Sequence, residues 1–415
     1  MTRLFYRIIY LFVIFCSQGF VFAQDSLIQQ PIQRETIMQG GYKNLISIDF
    51  RAAKVIPTAP FYKGMDNDYS LSEKGVSAHL QYAFGLPEGS FGNCIFPQTS
   101  QGIGLAYFNY GNGKELGNPM AGYIFQNAEI LRLNQLLGLH YEWNFGLSTG
   151  WKYFDTHENP KNVIIGSKEN AYINAGLFLR WYLAKRLALN TGFDFTHFSN
   201  GNTEYPNSGF NTSSFRLGLQ YDLSKKLPNA EKWRMKKQIP AFERHWSYDV
   251  VAFGSWRRKG VYFIGNQIAS PHRYPVLGVY IAPMYNFGYR VRAGASLDLI
   301  HDGSANVYTK DYIVGTEQQF FKPYWKEQIA AGVSARADYI MPIFTLSIGL
   351  GTHFINREGD FKGTYQSFAL KTGVSKSAFL HVGYSIKDFH EPNYLMLGLG
   401  YRFNNRRNSL LSIVK

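Results

Sequence analysis

Apolar and polar side chains alternate along many segments of this chain, and a period of two limits the folds open to it. In one such segment Leu187, Leu189, Phe193 and Phe195 lie on one side, with small or polar residues between most of them. This period indicates a β-strand with one apolar and one polar face. No segment after residue 23 has the roughly 20 uncharged apolar residues that a membrane-spanning helix needs. We therefore expect an all-β fold.

The composition favours an antiparallel β-barrel that spans the outer membrane. Aromatic residues make up 17% of the chain and 40 residues are glycine, yet hydrophobic residues make up only 45%. A spanning barrel has this modest hydrophobicity because its strands alternate between lipid-facing and interior residues. The alternative is a secreted β-sandwich or another large soluble periplasmic protein.

The first 23 residues have the features of an export signal. Arg3 and Arg7 precede an apolar run, and Ala23 fits a signal-peptidase site, so we predict cleavage after residue 23. Cys16 would be removed with the signal, which leaves Cys94 as the only cysteine. A single cysteine forms no intramolecular disulfide and no multi-cysteine zinc site.

The net charge of the chain predicts an anionic partner. It is +14, and +12 once Arg3 and Arg7 leave with the signal. For an exported barrel the nearby anions are the phosphates of lipopolysaccharide, which a basic surface attracts. Nucleic acid is not expected as a partner outside the cell.

About eight strand-like segments precede residue 224 and about eight follow residue 245. The first set is 44–54, 75–85, 101–111, 120–133, 136–152, 170–184, 186–198 and 213–223. The second set is 247–257, 275–287, 289–301, 325–340, 343–354, 364–374, 377–386 and 394–403. The predicted organisation is a signal at 1–23, a barrel unit at 24–223, a basic linker at 224–244 and a second barrel-like unit at 245–415.

The two halves resemble each other, which favours duplication of an eight-stranded unit. Each half ends in two alternating strands joined by a loop, at 185–223 and at 376–403. Barrel hairpins in general are aromatic and rich in glycine, so the likeness also has a simpler explanation. The pattern leaves open whether the halves close as two barrels or as one larger barrel, since even strand numbers permit either.

One pair of residues suggests chemistry at the end of the seventh segment. His197 and Ser199 are two residues apart, so they share the face of Phe193 and Phe195, which is the lipid side. If the first strand rises from the periplasm, the pair lies at the outer rim of the membrane. A histidine can take the proton of a serine hydroxyl and activate it as a nucleophile. The alternative is an ordinary polar loop after an interfacial histidine, and the spacing alone favours it.

The residues that follow carry a family resemblance. His197–Gly201 reads HFSNG and Pro206–Gly209 reads PNSG. These motifs resemble the signature of the lipid A 3-O-deacylase (PagL) family, also called acyloxyacyl hydrolases, mainly over the last two strands and the loop of the first half. The resemblance implies an eight-stranded outer-membrane barrel. It also implies hydrolysis of a fatty ester of lipid A by a His–Ser pair on the lipid-facing surface.

The resemblance assigns roles to individual residues. It makes Ser199 the nucleophile, His197 the base and Asn207 the oxyanion-hole asparagine. Asn200 and Gly201, with nearby backbone N–H groups, are further candidates for the oxyanion site. The chain departs from the family at one position, because well-known members have a glutamate where this chain has Asn211.

That departure leaves two residues as candidates to complete the site. Asn211 can orient His197 through a hydrogen bond but brings no charge. Glu204, in the same loop, is the other candidate. The sequence does not decide between them.

The second half is predicted to be non-catalytic. The loop at 387–393, which corresponds to the active loop, contains no serine. His301 and Ser304 end another outward-running strand, but they are three residues apart and therefore face opposite sides. We expect an ordinary turn there.

The resulting hypothesis is an outer-membrane serine esterase that acts on lipid A in the outer leaflet, with no metal or cofactor. One alternative is a non-catalytic barrel such as a porin or structural protein, which needs neither Ser199 nor His197. Another is a phospholipase-type barrel with broader acyl specificity. A calcium requirement would favour the phospholipase, although the sequence has no Asp-rich calcium loop.

Overall fold

The computed structural model describes residues 42–57, 73–87, 90–162, 164–224, 239, 241–263, 266–310 and 318–406. The first half contains β1 (Lys43–Ile56), β2 (Lys74–Gly85), β3 (Thr99–Asn109), β4 (Gly117–Arg132), β5 (Leu137–Trp151), β6 (Asn170–Tyr182), β7 (Leu187–Ser199) and β8 (Phe210–Asp222), with a short helix, α1 (Phe91–Ile95), between β2 and β3. The second half contains β9 (His245–Phe263), β10 (Asn266–Asn286), β11 (Val291–Asp302), β12 (Ile329–Ile340), β13 (Phe344–Ile355), β14 (Thr364–Gly373), β15 (Ala378–Lys387) and β16 (Glu391–Phe403).

These strands form two separate closed barrels, which decides the question that the sequence left open. In the first barrel β1 pairs with β8, from Leu45 opposite Asp222 to Ile56 opposite Asn211. In the second barrel β9 pairs with β16, as in the pairing of Gly254 with Leu397. All neighbouring strands are antiparallel, so the prediction of an all-β antiparallel barrel fold is confirmed.

Three strand boundaries differ from the sequence prediction by four residues or more. β9 and β10 form a longer hairpin than expected, because Arg257, Arg258 and Lys259 interrupt the apolar pattern without ending the pairing. Pro271 and Pro275 similarly interrupt the strand pattern, so the beginning of β10 was predicted too late in the sequence. β12 begins at residue 329 rather than 325, since 325–328 is a turn of 3-10 helix.

The alternation of the sequence becomes an alternation of burial. Along β8 every second residue from Phe210 to Asp222 is buried, and the residues between them are half-buried or exposed. The exposed set includes Phe215, Leu217 and Leu219, which form an apolar outer surface. In a membrane-spanning barrel such a face meets lipid.

The interior of the first barrel contains a network of buried ions. Arg216 lies at its centre, with its Nη2 2.6 Å from Asp194 Oδ1 and 2.7 Å from Glu142 Oε1. Arg51 adds contacts to the same two carboxylates at 3.4 and 3.5 Å. Charges in a poorly solvated interior are tolerated when each has an opposite partner.

The second barrel has a comparable network. Arg292 is buried and pairs with Asp249 and Asp338, and its Nε lies 2.8 Å from Asp338 Oδ2. Arg402 donates to Asp249 at 2.8 Å, and Lys371 Nζ lies 3.3 Å from Asp338. Each barrel therefore has its own polar core.

The barrels also contact each other along their walls. The rings of Trp143 and Phe344 meet edge to face, with centroids 5.2 Å apart. Near one end, Phe91 of α1 meets Tyr289 at 5.5 Å, and Arg290 Nε donates to the carbonyl of Ile95 at 3.1 Å.

The lengths of the connections indicate which barrel end faces outward. Short turns at 133–136 and 183–186 join strands at one end of the first barrel. Longer connections at 152–169 and 200–209 lie at the other end. Outer-membrane barrels have short periplasmic turns and longer extracellular loops. His197 and Ser199 lie at the end of β7 that has these two longer connections.

Among the residues that the structure describes, no helix has the length and apolar character needed to cross a membrane. The predicted export signal at 1–23 and most of the predicted basic linker at 224–244 lie outside the described residues.

Candidate active site at the outer rim of the first barrel

The centre of the candidate site is a cross-strand pair. His197 of β7 and Asn211 of β8 are directly opposite each other in the register. Both side chains are half-buried on the outer face, and His197 Nδ1 lies 2.7 Å from Asn211 Oδ1. With the amide oxygen as the acceptor, this contact requires the proton on Nδ1, which leaves Nε2 as the basic nitrogen.

Ser199 stands on the same outer face, two residues further along β7, and is half-buried. A strand rises roughly 3.3 Å per residue, so the Cα atoms of His197 and Ser199 are about 7 Å apart. The two side chains therefore occupy neighbouring positions on the outer face, and the described structure has no hydrogen bond between them. The predicted lipid-side location of the pair agrees with the burial pattern of β7.

Gly209 shapes the pocket around the imidazole. Its φ is +73°, which L side chains rarely adopt, and an added Cβ would lie 2.8 Å from His197 Cε1. The loop can therefore pass over the edge of the ring only if this residue is glycine. A steric requirement therefore explains why the last residue of the PNSG motif is glycine.

The β7–β8 loop (residues 200–209) is organised by asparagines. Asn207 Oδ1 accepts from the backbone N–H of Asn200 at 3.1 Å, and Asn207 Nδ2 donates to Asn202 Oδ1 at 3.0 Å. Beyond them, the backbone of Asn207 bridges to Ile165 in the neighbouring 152–169 loop. Asn207 therefore holds the backbone of the residue that directly follows Ser199.

Asn200 supplies an unused donor. Its side chain is buried, and its Nδ2 has no hydrogen-bond partner among the described residues. Such a donor is costly to bury unless something accepts from it. Its place in the chain, directly after Ser199, makes Asn200 a candidate for the oxyanion site.

The carboxylate of Glu204 has partners other than His197. Its carboxylate pairs with Arg258 at 3.2 Å and with Arg273, both of which belong to the second barrel. The structure thus brings Asn211, and not Glu204, to His197. Gly201, the remaining predicted residue, has φ +67° and lies against Leu395 of the second barrel.

Sequence reasoning missed Asn202, Arg258 and Leu395. Asn202 has φ +65°, and the Asn-Gly-Asn run at 200–202 was a signal for a turn with left-handed backbone. Nothing local in the sequence connects Arg258 or Leu395 with this loop. Within the described part of the chain, no group of three or more His, Cys, Asp or Glu residues is placed to hold a metal ion.

Two family models match the chain. The one described as lipid A 3-O-deacylase (PagL) covers residues 98–220, and the one described as acyloxyacyl hydrolase, C-terminal domain, covers residues 246–405. The chain belongs to the PagL family of acyloxyacyl hydrolases. The resemblance inferred from His197–Gly201 and Pro206–Gly209 is therefore confirmed, and both motifs lie inside the first matched region.

Membership of the PagL family implies a hydrolase that acts on lipid A, and it places the protein in the outer membrane. The second barrel coincides with the C-terminal family model, so the two halves are recognised separately. No curated protein sequence matches the chain.

Several solved structures match the chain with low TM-scores. Neisserial surface protein A is 8% identical, with 44% of this chain and 99% of that chain covered and a TM-score of 0.30. The outer membrane enzyme PagL is 13% identical, with 41% and 97% covered and a TM-score of 0.29. The FrpB iron transporter from Neisseria meningitidis is 11% identical, with 87% and 70% covered and a TM-score of 0.21. These similarities are too low to inform the chemistry of the site.

Proposed function

We propose that this protein is an outer-membrane serine esterase that removes a fatty acyl chain from lipid A. Ser199 is the nucleophile, His197 is the general base and Asn211 orients His197. The observation that carries the proposal is the 2.7 Å contact between His197 Nδ1 and Asn211 Oδ1, on the same outer face as Ser199. This contact supports the proposal because it favours the tautomer that a serine esterase needs.

The first half of the reaction forms an acyl-enzyme. Ser199 Oγ attacks the carbonyl carbon of the fatty ester while its proton passes to His197 Nε2. The carbonyl oxygen becomes an oxyanion. When the tetrahedral intermediate collapses, the bond to the lipid A alkoxide oxygen breaks, and that oxygen takes the proton back from His197.

The second half releases the fatty acid. His197 Nε2 takes a proton from water, and the resulting hydroxide attacks the carbonyl carbon of the Ser199 ester. Collapse of this second intermediate returns the proton to Ser199 Oγ and frees the carboxylic acid. The enzyme ends in its starting state, and no metal or redox cofactor takes part in these steps.

Oxyanion stabilisation comes from the β7–β8 loop. Asn200 Nδ2 is a buried donor with no partner in the described structure, and Asn207 is bonded to the backbone of Asn200. Fixed donors of this kind act when negative charge develops on the substrate oxygen. Gly201 and its backbone N–H belong to the same turn.

The location of the site supports a lipid substrate. Phe193 and Phe195 precede the pair on the same face and are 71% and 46% exposed, as lipid-facing residues are. Acyl chains of the outer leaflet therefore lie along β7, and the ester linkage of lipid A lies near the membrane surface, at the level of Ser199. A water-soluble ester would not partition to this apolar face.

A porin function agrees less well with the interiors of the two barrels. Porins hold a water-filled channel. The described interiors contain buried ion pairs instead, around Arg216 in one barrel and Arg292 in the other, and both side chains are less than 2% exposed.

The experiment uses full-length protein refolded in detergent and incubated with purified lipid A. Mass spectrometry would show the loss of one fatty acyl group with the wild type. Ser199→Ala should lower the rate by at least about 10³-fold, because the remaining groups give only residual catalysis. Ser213→Ala, which removes an exposed serine from the same outer face of β8, is the matched control and should keep wild-type activity.

Two results would overturn the proposal. Intact lipid A in every sample would show that the protein does not have the proposed esterase activity. Equal deacylation by the wild type and Ser199→Ala would assign the reaction to another nucleophile. Release of acyl chains from phospholipid at a comparable rate would instead favour a phospholipase-type barrel.

A further inference from the structure

The β7–β8 loop of the first barrel is attached to the second barrel. Asn202 and Glu204 form polar contacts with it, and Gly201 forms an apolar contact. On its other side the loop is held by the 152–169 loop of its own barrel, where Ser208 N–H donates to the carbonyl of Ile164 at 3.2 Å. The loop that follows Ser199 is thus fixed from both sides.

Asn202 is the point where these contacts meet. Its Nδ2 donates to the carbonyl of Asn393 at 3.0 Å, and its own carbonyl accepts from the backbone N–H of Arg258 at 2.9 Å. Both partners belong to the second barrel. Its Oδ1 accepts from Asn207 Nδ2 at 3.0 Å. One asparagine therefore bonds the second barrel on one side and Asn207 on the other.

The bonds continue from Asn202 to the reacting residue. Asn207 holds the backbone N–H of Asn200, and Asn200 directly follows Ser199. This series contains two side-chain hydrogen bonds between Asn202 and Asn200. Small displacements at one end reach the other because each bond restricts the orientation of the next amide.

An ion pair reinforces the attachment. Glu204 is mostly buried and pairs with Arg258 and Arg273. Arg258 therefore contacts the loop twice, through its backbone N–H to Asn202 and through its guanidinium to Glu204. A partly desolvated pair with two arginines has a preferred geometry that an exposed pair lacks.

An apolar contact leaves little room between the barrels. An added Cβ on Gly201 would lie 2.6 Å from Leu395 Cγ. Leu395 belongs to β16 and so to the wall of the second barrel. The position next to Asn200 is therefore glycine for two reasons, its φ of +67° and the adjacent leucine.

We propose that Asn202 is a positioning residue for the deacylation site, and that the second barrel is the support from which it acts. Asn202 does not touch the reacting atoms. It fixes Asn207, and through Asn207 the backbone of Asn200, the residue that directly follows Ser199. This inference rests on the proposed function, and it gives the second barrel, which has no matching His–Ser pair, a role in catalysis.

The test replaces Asn202 without disturbing its backbone. Asn202→Gly keeps a left-handed φ accessible and removes only the side-chain amide. We expect kcat to fall by about 10-fold to 100-fold, since a misplacement of about 1 Å in an active site has effects of this size. KM should stay within about 2-fold, because the acyl-binding face of β7 is unchanged.

Asn356→Gly is the matched control. Asn356 also has a left-handed φ, of +55°, and its Nδ2 bonds the carbonyls of Lys326 and Ile329 in an outer loop of the second barrel. It should keep the wild-type kcat. Equal losses in the two glycine variants would overturn the proposal, because they would show a general effect of loosening an outer loop.

Asn202→Asp separates the effect of the hydrogen bond to Asn207 from the effect of the hydrogen bond to Asn393. Aspartate keeps the oxygen that accepts from Asn207 and tolerates a left-handed φ. It loses the donor to the Asn393 carbonyl in the second barrel. A lower kcat in this variant would agree with the proposal that the second barrel holds Asn202 in place. A wild-type kcat would overturn the proposed role of the second barrel and restrict the role of Asn202 to its own loop.

A double variant with Asn207→Ala tests the order of action. Because Asn202 acts through Asn207, the double variant should have the kcat of Asn207→Ala alone. Additive losses would contradict this route. The pH at half-maximal rate should be the same in all these variants, since His197 and Asn211 are not changed.

Hydrogen exchange gives a readout that does not depend on activity. In Asn202→Gly the amide of Asn200 should exchange at least about 10-fold faster than in the wild type, measured by mass spectrometry, because its acceptor Asn207 is less fixed. Asn356→Gly should leave it unchanged. If wild-type protein does not deacylate lipid A, the proposed function fails, and this exchange measurement still decides whether Asn202 holds the loop.

Discussion

His197 and Asn211 face each other across β7 and β8, with 2.7 Å between the imidazole Nδ1 and the amide Oδ1. The usual partner of a catalytic histidine is a carboxylate, which both orients the ring and stabilises the imidazolium. A neutral amide does only the first. The site therefore has the orientation of a serine-esterase histidine without the charge.

This pairing predicts a gain of activity in Asn211→Glu. The carboxylate would form a charge-assisted hydrogen bond to Nδ1–H, about twice as strong as a neutral one. We expect kcat on lipid A to rise by about 10-fold, and the midpoint of the pH–rate profile to move upward, because the charged imidazole is stabilised. Activity is lost below that midpoint in both proteins, as the base becomes protonated.

Asn211→Leu is the companion variant. It removes the orienting bond and keeps a similar volume, so kcat should fall by about 10-fold, the value of one neutral hydrogen bond. Unchanged kcat in both variants, with an unchanged pH–rate profile, would show that Asn211 has no part in catalysis.

Gly209 gives a steric prediction. In Gly209→Ala the new Cβ would lie 2.8 Å from His197 Cε1, so the ring must move away from its position. We expect kcat to fall by about 100-fold, measured on protein that passes a folding check by electrophoresis of heated and unheated samples.

Gly150→Ala provides the comparison for that variant. Gly150 also has a positive φ, of +91°, but the nearest atom to an added Cβ is 3.4 Å away and belongs to backbone remote from His197. Its cost should be limited to the backbone strain, about 1–2 kcal/mol of stability. A similar loss of kcat in both variants would contradict the steric explanation.

The ion network in the first barrel predicts a large effect on stability. Arg216→Gln would leave Asp194 and Glu142 with Arg51 as their remaining close cation. Uncompensated buried charge should lower the free energy of unfolding by about 3–5 kcal/mol, measured by guanidinium titration of the refolded protein.

An exposed ion pair serves as the reference for this measurement. Lys54 and Glu73 are 3.9 Å apart, with side chains 72% and 55% exposed. Lys54→Gln should change the free energy of unfolding by less than about 1 kcal/mol. A loss at Arg216 no larger than this would mean that water reaches the interior carboxylates.

The contact between the barrel walls predicts an energetic coupling. The edge-to-face rings of Trp143 and Phe344 should contribute about 0.5–1.5 kcal/mol beyond their buried area. A double-mutant cycle with Trp143→Leu and Phe344→Leu, followed by guanidinium unfolding, measures this term. Strict additivity of the two single losses would indicate that the walls do not interact in solution.

The strands were predictable wherever alternation is uninterrupted. β7 and β8 follow the expected segments because each outward apolar residue has an inward small or polar neighbour. β9 and β10 were underestimated because their outer parts carry basic residues and prolines. Strand pairing there depends on the neighbouring strand, which local hydrophobicity does not record.

The candidate site was predictable in part. His197 and Ser199 follow from their spacing and the family motif. The choice of Asn211 over Glu204 does not, because both lie near His197 in sequence and either side chain is long enough to reach it. The register of β7 with β8 places Asn211 opposite His197, and two arginines of the second barrel hold Glu204 elsewhere.

The sequence by itself determined most of the strands, the two faces of each of these strands and the position of His197 and Ser199 on one outward face. These properties depend on the direction of successive side chains, which alternates along any β-strand. Only the tertiary structure decided that the halves close as two barrels, and that Asn202 joins the site to the second one. The hydrogen bond from Asn202 to Asn393 spans 191 positions of the chain. A contact of that kind forms only when complete barrels meet, so no local sequence pattern predicts it.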